Sequence, residues 1–378
     1  MQSDLAGSLA LLRPSRLGSV NDSAASFLRS TDPKSSTLSA RRAANRSATI
    51  WRLPAEPVAR FRDLGEFGPT LDAAAERLGI SPTAVEKDYW VSEVLRALER
   101  DFAGDFIFKG GTSLSKGFRL VERFSEDIDV LVLPGDRGRG ATDKLMKTMG
   151  ETAASGVGGS ASTVGGSETG RHRSYEVSYP ATREPTALIR TSVLLEMGVR
   201  GGAHPHERVS IGSLLGDALE SAGTDLSEFV DLESFEVAVL HPGRTLLEKL
   251  VLIHALAQQL TVEPGTSIDR RSGRHFYDVY QLLGDQRVLN LLSDRVQTEK
   301  VMGSIAEINR EFFGTGDEIE ARPPEGFGLC PAFDSSSDVS IQLRATYEGT
   351  MSALYFGSEP LPGWEAICQR VAERRDVL

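Results

Sequence analysis

Apolar residues along this chain recur at two spacings, and the change from one to the other divides it. Between Leu71 and Leu98 the spacing predicts two helices, Asp72 to Leu78 and Thr83 to Leu98, with Ser81 as the cap and Pro82 as the first helical residue of the second. Phe106-Ile107-Phe108 reads as a strand, Lys109-Gly110-Gly111-Thr112-Ser113 as a turn, Leu114 to Val121 as a short helix, and Asp127 to Val132 as a strand of period two. Ser174 to Tyr179 and Leu188 to Val199 read as an antiparallel pair. The Gly/Ser/Thr-rich stretch Gly156 to Gly170 lacks periodicity and reads as a flexible loop, with substrate gating as its functional alternative. Past Val209 helical spacing dominates: Leu214 to Leu219, Arg244 to Leu260, His275 to Leu283, Val288 to Ser293, Gln297 to Phe313, Ile341 to Tyr355 and Trp364 to Arg374, with a long connection from Gly314 to Pro331. The pattern predicts an α+β chain: a flexible tail over 1–55, a helical lead-in with a small mixed sheet over 56–208, and a mostly helical lobe over 209–378.

The candidate chemistry begins in Asp127-Ile128-Asp129-Val130. Period two puts both aspartates on one face, where their charges repel unless one or two divalent cations such as Mg²⁺ (or Mn²⁺) lie between them. That is a layout for two-metal phosphoryl transfer. Gly110 and Gly111 follow a strand directly, so they serve either a tight turn or the close approach of a phosphate, with Thr112 or Ser113 capping the next helix. Glu196 sits in the apolar run Val193-Leu194-Leu195-Glu196-Met197 and needs a partner: an arginine such as Arg190 or Arg200, or a metal shared with the aspartates. Lys249, inside an apolar helix, reads on periodicity as a lysine carrying its ammonium outward. Lys116 reads as a solvated helix charge, while Arg123 fits either solvent or a phosphate. His204-Pro205-His206 lacks the further ligands of a metal site.

Composition changes this picture little. With 378 residues, 40% hydrophobic and 25% charged, the chain has the make-up of a soluble protein of two lobes, and no apolar run approaches the roughly 20 residues of a membrane helix. Two cysteines, Cys330 and Cys368, fit packing in a reducing compartment, and a cytoplasmic location is expected. A net charge of −11 excludes a generally basic nucleic-acid-coating surface. It leaves room for local basic patches such as Arg41, Arg42, Arg46 and Arg52 in the tail, readable as a solvated arm or as an RNA-phosphate contact. Leu9 to Leu12 is too short for the apolar core of a signal peptide.

The string Phe108 to Gly117, followed by Arg123-Phe124-Ser125-Glu126-Asp127-Ile128-Asp129, resembles the AbiEii toxin family of nucleotidyltransferases, within the DNA polymerase beta-like superfamily. Pro82 to Trp90, Arg244 to Leu250 and Arg274 to Tyr280 extend the resemblance over roughly residues 60 to 375. It implies a polymerase beta-like core and a type IV toxin that transfers NMP from an NTP to RNA, with the tRNA 3′ end as the leading acceptor, and a cognate antitoxin encoded nearby. By residue, it implies metal binding by Asp127 and Asp129, nucleotide binding by Lys109, Gly110, Gly111, Thr112, Ser113, Ser125 and Lys249, and a catalytic set completed by Glu196 and Asp278. Asp278 matches a late family aspartate that would orient Lys249 or contact nucleotide, the alternative being a surface pair with Arg274 at i,i+4 spacing. A hydroxyl matching Ser125 is phosphorylated in some related toxins, and a phosphoryl group there would repel the triphosphate. The alternative is a local backbone bond. Rival functions are nucleotidylation of a protein or small molecule, and nucleotide binding without transfer.

Overall fold

The computed structural model describes residues 59–125, 127–186, 189–313 and 322–378. The expected N-terminal tail lies outside them. The helical lead-in is α1 (Phe67–Leu78) and α2 (Pro82–Phe102). Gly79 closes α1 in the left-handed conformation, and Ser81 accepts a hydrogen bond from the Ala84 amide to open α2, as its sequence predicts. There follow β1 (Phe106–Lys109), α3 (Gly110–Lys116), β2 (Asp127–Val132), α4 (Arg139–Val157), β3 (Ala161–Thr163), β4 (His172–Ser178), β5 (Ser192–Gly198) and β6 (His206–Ile211). After α5 (Leu214–Ser221) and β7 (Phe235–Leu240), the remaining long elements are helical: α6 (Pro242–Val262), α7 (Gly273–Leu282), α8 (Gln286–Ser293), α9 (Arg295–Phe313), α10 (Asp338–Leu354) and α11 (Trp364–Glu373).

The strands form one mixed seven-stranded sheet in the order β3-β4-β5-β2-β1-β7-β6. At its centre β1 runs antiparallel to β2, and β2 parallel to β5. Their registers sort the side chains by face. Phe106, Phe108, Ile128, Val130, Val132, Val193, Leu195, Met197, Val237 and Val239 share one face and enter the main core, where α2 packs on α4. The opposite face buries only a small patch, Ile107, Leu131 and Leu240. Beyond that patch it carries Lys109, Asp127, Asp129 and Glu196.

Several elements depart from the sequence reading. The Gly/Ser-rich stretch is not loop throughout: α4 runs to Val157, Gly158 closes it, and β3 pairs with β4 from Ala161↔Val177 to Thr163↔Tyr175. The edge expected at residue 208 falls inside β6, and β7 lies beyond it, so the sheet continues into the part read as helical. Neither Thr112 nor Ser113 caps a helix, because α3 already starts at Gly110. The helices past α5 match the predicted ones to within a few residues. Cys330 and Cys368 are buried and unbridged. No described helix is long and apolar enough to cross a membrane.

Candidate active site

Three carboxylates meet on the open face of the sheet. Asp127 and Asp129 alternate along β2, and the parallel β5 sets Glu196 in register with Asp129. Glu196 and Asp129 share a hydrogen bond. Burial first, then the charges of Asp129 and Asp127, push the Glu196 carboxyl up from 4.5 to about 7, with Arg271 acting the other way. Of its two expected settings, Glu196 thus has the company of the aspartates. A proton held between two acids marks a place for a cation, and hard carboxylate oxygens suit Mg²⁺ or Mn²⁺. Among the described residues, no group of three or more His, Cys, Asp or Glu side chains is placed to hold a metal ion together. Mg²⁺ typically takes one or two protein carboxylates and completes its shell with water and phosphate oxygens.

The glycine turn is shaped around these acids. Lys109 pairs with Asp129 across the β1–β2 ladder. Gly110 has φ +78°, and a Cβ there would run into the Asp129 carboxylate. A Cβ on Gly111 would meet the Arg123 guanidinium and the Ser125 hydroxyl. Thr112 Oγ1 donates to the Asp127 carbonyl at 2.5 Å and lies 2.8 Å from Ser125 Oγ, while Ser113 Oγ donates to the Gly110 carbonyl at 2.8 Å. Thr112 therefore ties the turn to β2, and Ser113 closes the turn on itself. On its far side a cavity of about 600 Å³ is lined by Asp88, Thr112, Lys116, Arg123, Ser125 and Tyr355 among others.

The helical half supplies a second, buried cluster. Asp278 of α7 accepts two hydrogen bonds from Arg123, Nε at 2.6 Å and Nη2 at 2.8 Å, and pairs with Lys249 Nζ of α6 at 2.8 Å. Lys249 also stands 3.3 Å from His275 Nδ1. Burial alone would raise the Asp278 pKa, but Arg123 and then Lys249 hold it well below the usual carboxylate range. Burial and the neighbouring Lys249 drive His275 well below the ordinary imidazole value, so it is neutral at pH 7. Two cations against one anion leave a net positive cluster at the glycine turn. Asp278 is thus buried between Lys249 and Arg123.

Other polar and charged groups serve as tethers. Glu86 accepts from the Thr182 and Arg183 amides, Lys87 donates to the Arg190 and Ser192 carbonyls, and Tyr89 donates to Asp231 at 2.5 Å. Lys116 is not solvated: its ammonium meets Asp88 at 2.6 Å, and Asp88 also accepts from the Leu214 amide. Sequence reasoning left Arg123 open and missed His275 and Arg271. Only their places inside the family-like strings, or three residues before one, gave a signal.

A strand, a glycine turn shaped around an acid, a second strand bearing two aspartates and a third bearing Glu196 define the class of a nucleotidyltransferase. The family model described as "Nucleotidyl transferase AbiEii toxin, Type IV TA system" matches residues 93–370, and the chain belongs to that family. It is a nucleotidyltransferase toxin of a type IV toxin-antitoxin system. The matched span begins after Pro82 to Trp90, whose charged residues the structure uses as tethers. Among solved structures the chain is similar to MenT4, a nucleotidyltransferase toxin from Mycobacterium tuberculosis H37Rv, with 19% identity over 81% of this chain and 88% of that one and a TM-score of 0.49. Nothing further rests on so distant a likeness. A search of curated proteins found no match.

Proposed function

We propose that this toxin transfers NMP from an NTP to an RNA acceptor, the tRNA 3′ end foremost, and so blocks translation. The observation that carries this reading is the juxtaposition of Asp127, Asp129 and Glu196 with the Gly110–Ser113 turn. Asp127 and Asp129 would hold Mg²⁺ (or Mn²⁺), whose bound form would neutralise charge developing on the transferred phosphoryl group. Lys109, the main chain of Gly110 to Ser113, and Lys249 hold the triphosphate. Glu196 takes the proton of the acceptor hydroxyl as that oxygen attacks the α-phosphorus in line. The bond from phosphorus to the β-bridging oxygen breaks, and pyrophosphate leaves. Positioning and charge neutralisation do most of the work.

The acceptor rests on the family resemblance, and two features agree with a polyanion. Arg270 and Arg271 are exposed at the start of α7, and Arg271 acts electrostatically on Glu196. Ser125, whose Oγ lies 2.8 Å from Thr112 Oγ1 at the glycine turn, is the site for silencing phosphorylation, since a phosphoryl group there would add negative charge beside the turn and repel the triphosphate. A cognate antitoxin completes the system.

The test is incubation with Mg²⁺, each α-labelled NTP in turn and total tRNA, with Asp127→Asn as control. Label in tRNA that the variant cannot deliver is the expected result. Pyrophosphate release with unlabelled tRNA would move the acceptor to a protein or small molecule. Bound NTP with no pyrophosphate released would refute transfer altogether.

A further inference from the structure

We infer that Arg123 is a positioning residue of the triphosphate site, tying the glycine turn to Lys249 through Asp278. The inference rests on the proposed function and extends it to a residue outside the catalytic set. Arg123 lies in the segment between α3 and β2, and its side chain is fully buried. Backbone and hydroxyl contacts already sew that segment to the helical half. The Phe124 amide donates to Leu354 O at 2.8 Å, the Phe356 amide to Glu122 O at 3.2 Å, and the Glu122 amide to Tyr277 Oη at 3.1 Å. Attachment therefore does not need the guanidinium.

What the guanidinium alone reaches is the turn and the buried acid. Nε and Nη2 of its fork grip both oxygens of Asp278, Nη1 donates to the Phe124 carbonyl at 3.3 Å, and a Cβ on Gly111 would stand against the same Nη2. The oxygen that accepts from Arg123 Nη2, Asp278 Oδ2, is also the one that meets Lys249 Nζ. A shift of the fork thus moves the carboxylate, and the carboxylate moves the ammonium. Gly111 supplies the space that lets this chain of contacts start at the turn. The arrangement couples two parts of the phosphate site that lie on different halves of the molecule, and Arg123 itself touches no substrate.

The experiment uses the full chain with Arg123→Lys, which keeps the charge and loses the planar fork. The first readout needs no nucleotide: trace acetylation of lysines followed by mass spectrometry. Lys249 labelling is expected to change several-fold, with Lys87 and Lys116, held by other partners, unchanged. The second is titration with Mg²⁺ and each of the four NTPs. The dissociation constant should rise about tenfold in Arg123→Lys, and the double variant with Lys249→Ala should bind no more weakly than Lys249→Ala alone. Should Arg123→Lys not fold, Gly111→Ala displaces the same guanidinium from the turn side with Arg123 and Asp278 retained, and it should shift Lys249 labelling likewise. Unchanged Lys249 labelling, or fully additive losses of binding, would overturn the role of Arg123. A wild type that binds none of the four NTPs would instead overturn the proposed function, while the labelling still decides the coupling of Arg123 to Lys249.

Discussion

The two charged clusters of this protein are built on opposite rules. On the open face of the sheet, Asp127, Asp129 and Glu196 gather like charges that repel, and burial together with that repulsion makes Glu196 hold its proton up to about 7. In the buried cluster, Asp278 stands between Arg123 and Lys249, both cations share the one acid, and that acid stays ionised far below the usual range. A site left in mutual repulsion is completed by something that binds. A site whose cations are already bridged by a buried acid is held rigid. The contrast assigns ligand binding to the sheet and placement to the helices, and variants can break each part separately.

The largest effect is expected at the sheet. Asp127→Asn should lower transfer by at least about 10²–10³-fold. It also removes one of the repelling charges, so the melting temperature measured without metal should hold or rise. A marked fall in melting temperature would mean that Asp127 is a structural residue. The opposite pattern is expected at Asp278→Asn, which leaves Arg123 and Lys249 buried without their counter-charge. Denaturant unfolding should show a loss of about 3–5 kcal/mol, the usual result of breaking a buried pair. Because the Asp278 pKa is depressed, its contribution is complete above the unfolded carboxylate pKa and is lost as pH falls through its folded value. Asp278→Asn should therefore flatten the acid limb of the stability profile.

Between these lies Gly110→Ala. A left-handed φ costs a residue with Cβ about 1–2 kcal/mol, and here the new atom also presses on the Asp129 carboxylate. Stability should fall by roughly that amount and transfer should fall further, since Asp129 must move. Equal activity at reduced stability would show that the turn serves the backbone alone.

The same contrast explains what could be read from the chain. The aspartate pair is local: Asp127 and Asp129 share a strand whose alternation is plain, and the glycines belong to the same strand–turn–helix–strand unit. The buried cluster is not, because Arg123 and Asp278 are 155 positions apart and no periodicity links them. Asp278 was legible only through its resemblance, and its i,i+4 neighbour Arg274 offered a simpler partner. Lys116 was misread for the same reason, since Asp88 reaches it from another helix. Among the strands, β3 and β6 are the two sheet edges, where one side of the ladder stays open and side chains carry little apolar pattern. In the run Phe235–Leu240, β7 is short and apolar, a pattern that does not separate strand from helix.

The smallest expected effect is also the sharpest test of the comparison. A carboxyl whose folded pKa is raised stabilises the protein fully below its unfolded pKa, and that contribution is lost as pH rises through the folded value. For Glu196 the window runs from 4.5 to about 7. Metal-free protein should therefore lose stability across it, the reverse of the slope from Asp278 at more acid pH. Glu196→Gln, which keeps the hydrogen bond to Asp129 and cannot ionise, should level this stretch of the profile. Saturating Mg²⁺ should level it in the wild type, because a cation replaces the proton as the partner of the acids. Thermal melts between pH 4.5 and 7, with and without Mg²⁺, decide the matter. If Glu196→Gln keeps the wild-type slope, the sheet acids do not repel as their spacing requires, and the distinction between the two clusters fails at its weaker end.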